Sequence, residues 1–160
     1  MTKAAATHST GSKKARASAT RLAAVQAAYQ LLTTDKVMED IIPEFLAHHA
    51  SMELDGETLL PPDADMFTRT LRTVENRRGQ LQELIDAQMP AQSGEEGSRK
   101  VDDLMQATLL CGTAELLTDT DTDGPIIIAD YIAVIMAFYG GSEHRLVNAV
   151  LDKIYKAVRI

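Results

Sequence analysis

Five basic side chains lie in the first 34 residues, Lys3, Lys13, Lys14, Arg16 and Arg21, and no acidic residue precedes Asp35. Clustered lysines and arginines on a flexible segment can approach a nucleic-acid backbone and meet its phosphate oxygens. A second group, Ser142, His144 and Arg145, stands where a helix is expected to begin. Free amides at a helix start can receive a phosphate, and a hydroxyl and two basic side chains add to that capacity. A third group is acidic. Asp119, Asp121, Asp123, Gly124 and Asp130 fit positions 1, 3, 5, 6 and 12 of a calcium-binding loop, with Ile126 at the apolar position 8. Position 12 is aspartate instead of the longer bidentate glutamate, Ile127 at position 9 has no side-chain oxygen, and there is no second copy. The segment is read as an acidic connector, and no metal is expected.

Catalytic patterns are not apparent. There is no Ser/His/Asp arrangement, phosphate-cradling glycine loop or pair of carboxylates placed for acid–base work. His48 and His49 read as exposed helix residues. Cys111, the only cysteine, reads as a small core residue. A single cysteine excludes an intrachain disulfide and a cysteine-rich zinc site, and it suits a reducing cytoplasm. Neither an enzyme nor a cofactor is expected. The most apolar stretch, Ile126 to Tyr139, is interrupted by Asp130 and too short to cross a bilayer. The N-terminus lacks the apolar core of a signal peptide.

These groups sit on a chain of 160 residues, enough for one domain with a real core. Of its 16 basic and 23 acidic residues, five basic ones precede Asp35, so 11 face 23 beyond it. The net charge of −7 thus divides into a head of +5 and a body of −12. That asymmetry points to a basic arm on an acidic body.

Residues 1–15 read as a flexible basic arm, followed by a helical domain over 16–160 with subdomains at about 16–90 and 98–160. Ser18 or Thr20 can cap the first helix, with Leu22, Val25, Tyr29 and Leu32 as its apolar stripe. Val37, Met38, Ile41, Ile42 and Phe45 recur at helical spacing. Asp55-Gly56 and Pro61-Pro62 mark a loop over 51–64. Asp63 or Asp65 opens a third helix, with Arg69, Arg72, Arg77 and Arg78 as a solvated stripe opposite its apolar side. Pro90, Ser93, Gly94, Gly97 and Ser98 form a linker. A helix over about 99–117 carries Val101, Leu104, Met105, Leu109 and Leu116 inward. Ile126 to Phe138 reads as the most buried helix. The last helix starts near Ser142 and is lined by Leu146, Val147, Val150, Leu151, Ile154 and Val158. Periodicity therefore predicts an all-α protein of six or seven helices in two clusters.

Two segments at opposite ends resemble one family. Arg21-Leu22-Ala23-Ala24-Val25-Gln26-Ala27-Ala28-Tyr29 is similar to the opening of NusB transcription antitermination factors, and Leu146-Val147-Asn148-Ala149-Val150-Leu151-Asp152 to their ending. Phe67 with Leu71, then Ala107, Leu109, Gly112, Glu115 and Leu116, then Ile128-Ala129-Asp130-Tyr131, continue the resemblance between them. It covers about residues 16–158 and looks most like the alphaproteobacterial branch.

The resemblance implies two three-helix bundles packed roughly perpendicular, about seven helices in all. It implies a non-enzymatic factor that binds boxA-type RNA of ribosomal RNA transcripts together with the ribosomal protein NusE and assembles on RNA polymerase. Lys13, Lys14, Arg16 and Arg21 match the family's RNA-contacting N-terminus. Ser142, His144, Arg145, Leu146 and Asn148 fall at its second RNA-contacting segment. Leu146 stands where relatives carry an aromatic that could stack on a base. Tyr29 matches a NusE-facing tyrosine. Met105, Leu110 and Ala114 stand where relatives often carry glutamate, arginine and tyrosine. These departures motivate an alternative, a NusB-fold interaction scaffold without specific RNA recognition. Some relatives form homodimers, so a homodimer is a further partner state.

Overall fold

The computed structural model describes the backbone of residues 2–50, 53–54, 57–58, 61–89, 101–139 and 143–159, and side chains over 13–48, 61–89, 101–139 and 143–159. Among the described residues, seven helices carry the fold. They are α1 (Thr2–Thr33), α2 (Met38–Ala50), α3 (Ala64–Asn76), α4 (Arg78–Gln88), α5 (Asp103–Thr118), α6 (Gly124–Phe138) and α7 (Glu143–Arg159). The sequence shows no strand alternation longer than a few residues, and the locally ambiguous Ile126-Ile127-Ile128 is helical. The structure adds one short antiparallel pair between α2 and α3, β1 (Glu53–Leu54) and β2 (Glu57–Thr58). The expected linker at 90–98 lies outside the described residues.

α1 packs on α2 and α3, α5 packs on α6 and α7, and α4 packs on α5 and α7, so that two three-helix groups, joined where α1 crosses onto α5, carry a seventh helix on the second. α5 is the centre. From Met105 and Ala107 through Leu116 its residues are buried on every side, the pattern of a helix enclosed by others. This corrects the expectation that α6 would be the most buried. α6 is the most apolar by composition, but Ile126, Met136 and Phe138 on its outer side stand about half exposed.

Local chemistry fixes the ends. Asp63 caps α3, its carboxylate accepting from the amides of Asp65 and Met66 at 3.1 and 3.2 Å. Asp102 caps α5 through the Met105 amide at 2.9 Å. The single third helix expected from periodicity bends at Arg77 into α3 and α4. The helical ladder continues across the bend, from the Arg77 amide to Thr73 O and from the Leu81 amide to Arg77 O, both 2.9 Å.

α1 differs most from expectation. It runs unbroken from Thr2, where a flexible arm and a start near Ser18 were expected. Its buried side is Ala23, Ala24, Val25, Ala27 and Ala28, while Leu22 and Tyr29 of the expected stripe stand 37% and 42% exposed. Small side chains let α1 sit close to α5, and the Cys111 thiol reaches Ala24 O at 3.5 Å. A similar economy of space joins α5 to α7. A Cβ at Gly112 would meet both Leu151 methyls at 3.0 Å.

Candidate nucleic-acid and partner interface

Arg21 lies at the junction of α1, α5 and α6. Its guanidinium donates to the Glu115 carboxylate at 3.0, 3.1 and 3.0 Å and to Asp130 Oδ2 at 2.6 Å. The Tyr131 hydroxyl donates to Glu115 at 2.6 Å. Arg21 and Glu115 are almost fully buried, and Asp130 is the wetter end. Burial opposes the charge on Arg21, but the Glu115 and Asp130 carboxylates outweigh it and raise its pKa above the ordinary value. Sequence grouped Arg21 with the RNA-contacting cations. The structure corrects this, because the side chain is internal and its guanidinium nitrogens are bonded to Glu115 and Asp130.

Among the described side chains of the head, Lys13, Lys14 and Arg16 are exposed. At 100° per residue, Lys13 and Arg16 project 60° apart on α1, and Lys14 projects on the Ser18 side. Ser18 Oγ donates to Asp130 Oδ2 at 3.0 Å. Arg16 Nε donates to Pro61 O at 3.3 Å. Thr20 Oγ1 donates to Arg16 O at 2.6 Å and accepts from the Asp63 amide at 2.8 Å. The turn of α1 next to the head is therefore held on both flanks, by α6 and by the loop before α3.

The second expected RNA segment is at the other end of the molecule. α1 and α6 run side by side in the same direction: Ser18 and Arg21 meet Asp130, while Tyr29 shares a groove with Phe138 and Tyr139. α7 returns antiparallel, so that a Cβ at Gly124 would fall 2.3 Å from the Tyr155 ring. The head thus lies by the start of α6, and His144 and Arg145 by its end. α6 has 15 residues, a length of about 22 Å at the standard rise. Arg145 and Asn148 are exposed, His144 and Leu146 half-buried, and Leu146 packs on the core. Ser142 lies outside the described residues. The polar face of α7 carries the Asp152–Lys156 pair at 2.9 Å, one helical turn apart.

At that far end an open groove of about 840 Å³ is lined by Gln26, Tyr29, Gln30, Phe45, Asp102, Asp103, Leu104, Phe138 and Tyr139. The Tyr139 hydroxyl donates to Asp102. Partial burial and then this bond raise the tyrosine pKa above its usual value. Tyr29 is exposed where it lines this groove. Met105 does not share its surroundings. It is 6% exposed and turned into the core, which removes it as a surface contact. Sequence reasoning missed Asp102, Asp103, Phe138 and Tyr139. The Asp102-Asp103 pair at a helix start was the available signal.

The acidic loop is organised by an arginine. Arg159 donates to the carbonyls of Leu116 (2.9 Å), Thr122 (2.7 Å) and Asp119. Asp119 accepts from the Asp121 and Thr122 amides and the Thr122 hydroxyl. Burial pushes the Asp119 carboxyl up, but the Thr122 and Asp121 bonds and nearby Arg69 hold it below the usual carboxylate range. α6 begins at Gly124, so Asp130 lies well up a helix and faces Arg21. That geometry does not wrap an ion as a calcium loop does.

The class the structure defines is an all-α helical protein, with Lys13, Lys14 and Arg16 exposed toward the start of α6 and an acidic, aromatic groove toward its end. Comparison with known proteins gives the family. The NusB family model matches residues 18–156. NusB transcription antitermination proteins of Sinorhizobium fredii and Sinorhizobium medicae are 38% and 37% identical over 141 residues, 88% of this chain and 86% of each relative. A solved T. maritima NusB structure superposes with a TM-score of 0.68 at 20% identity, covering 87% of this chain and 89% of that one. The chain belongs to the NusB family.

Proposed function

We propose that the chain acts as a transcription antitermination factor, a non-enzymatic role in line with the antitermination proteins it resembles. It binds boxA-type RNA of ribosomal RNA transcripts together with NusE and assembles with RNA polymerase in the cytoplasm. Lys13, Lys14 and Arg16 meet phosphates at one end, and Arg145 with Asn148 and His144 at the other. Tyr29 and the Asp102–Asp103 groove receive NusE, a basic partner suited to an acidic surface. The observation that carries this reading is the exposure of Lys13, Lys14 and Arg16 on the outward turns of a helix whose next turn is anchored on both flanks. A gel-shift titration of boxA-type and scrambled RNA, with and without NusE, tests it. Preference for boxA-type RNA, strengthened by NusE, is expected; equal binding of both RNAs would overturn it.

Two observations favour a second reading, an interaction scaffold without specific RNA recognition. Arg21 is withdrawn from the surface, and Leu146 is half-buried against the core. NusE binding with no RNA preference in the same titration would support it.

A further inference from the structure

We propose that Asp130 is a positioning residue for the basic head. The inference rests on the RNA-binding reading above and names what aims its phosphate contacts. One carboxylate oxygen, Asp130 Oδ2, accepts from both Ser18 Oγ at 3.0 Å and Arg21 Nη1 at 2.6 Å. Ser18 and Arg21 are one turn apart on α1 and share a face, so two bonds to one atom fix the rotation of α1 about its own axis. The opposite flank is fixed independently, by Thr20 on the Asp63 amide and Arg16 on Pro61 O. Lys14 sits one turn before Ser18 on the same face, and Lys13 and Arg16 lie toward the other flank. Rotation of α1 would move all three cations together. The two halves of the clamp differ in kind. The Arg21 bond is part of a buried ion cluster that holds the fold, whereas Ser18 is exposed and contributes only alignment. Removing the Ser18 hydroxyl therefore separates aim from stability.

The test compares wild type, Ser18→Ala, Ser18→Thr, Asp130→Asn and the triple Lys13→Ala/Lys14→Ala/Arg16→Ala variant. Affinity for a labelled boxA-type RNA is measured across salt concentrations, and amide hydrogen exchange over residues 13–20 is followed without RNA. Each phosphate contact on single-stranded RNA contributes about 0.7 to the slope of log affinity against log salt. Ser18→Ala and Asp130→Asn are expected to lower the slope by about 0.7 or more and to speed exchange over 13–20. Ser18→Thr, which keeps the hydroxyl, is expected to restore both. An unchanged slope in Ser18→Ala, alongside a reduced slope in the triple variant, overturns the positioning role and leaves RNA binding standing. A triple variant with an unchanged slope overturns the RNA reading itself. The exchange measurement then decides the clamp alone, and protection over 13–20 that survives in both Ser18→Ala and Asp130→Asn contradicts it.

Discussion

Arg21 and Glu115, 94 positions apart, form a three-contact ion pair of 3.0–3.1 Å with side-chain exposures of 4% and 1%. Removing one member of a buried pair leaves the other charged and unsolvated, a loss of about 3–5 kcal/mol. Arg21→Ala and Glu115→Ala are expected to fall in that range by urea unfolding. The triple Lys13→Ala/Lys14→Ala/Arg16→Ala variant is expected to lose far less, since Lys13 and Lys14 are exposed and Arg16 makes one exposed bond. Equal losses for the internal and surface arginines would contradict the division between them.

This pair shows where sequence reading stops. Arg21 looks like any other cation of the head until Glu115 and Asp130 are brought to it from two other helices. The side of α1 that packs was equally hidden, because its alanines carry little periodic contrast against Leu22 and Tyr29. α7 was readable throughout: Val147, Val150, Leu151 and Ile154 recur at helical spacing with polar residues between, and all four are buried. α6 misled because its outer residues are as apolar as its inner ones, so composition alone could not reveal which side faced solvent. The groove draws on segments around residues 26–30, 45, 102–104 and 138–139, and only the folded chain assembles them.

Gly112 of α5 lies against Leu151 of α7. Gly112→Ala places a methyl 3.0 Å from both Leu151 methyls. Overpacking of about 1–3 kcal/mol is offset in part by about 0.5–1 kcal/mol of helix propensity, so a net loss of about 1 kcal/mol is expected. Urea unfolding measures it, and Gly112→Ala should cost less in a Leu151→Ala background than in wild type. A neutral or stabilising Gly112→Ala would mean the two helices are not held at this distance.

Burial, followed by Glu115, raises the pKa of both the Cys111 thiol and the Tyr131 phenol well above their ordinary values. Both groups are neutral when protonated, so the folded state retains protons that the unfolded state releases. Their contribution is present below the unfolded values of about 8.5 and 10 and is lost as pH rises beyond them. The urea midpoint is expected to fall progressively above about pH 9. Cys111 is expected to resist a thiol reagent at pH 8 until urea unfolds the chain. Rapid labelling of native protein would place the thiol nearer to solvent.

Asp119 behaves in the opposite sense. Its carboxyl is held below the usual range by Thr122 and Asp121, so its contribution is present above the unfolded value of about 3.9 and is lost as pH falls through the lower folded one. Asp119→Asn is expected to flatten the acid side of the stability curve. An unaltered acid limb would show that the loop is held by Arg159 alone.

The central claim is that the outward cations of α1 hold RNA phosphates. Fluorescence anisotropy of a labelled boxA-type RNA with NusE present, across a range of salt, tests it most directly. Wild type is compared with the Lys13→Ala/Lys14→Ala/Arg16→Ala variant. The account predicts weaker binding and a salt slope lower by about 2, three contacts at about 0.7 each on a single strand. An unchanged affinity and slope would contradict it.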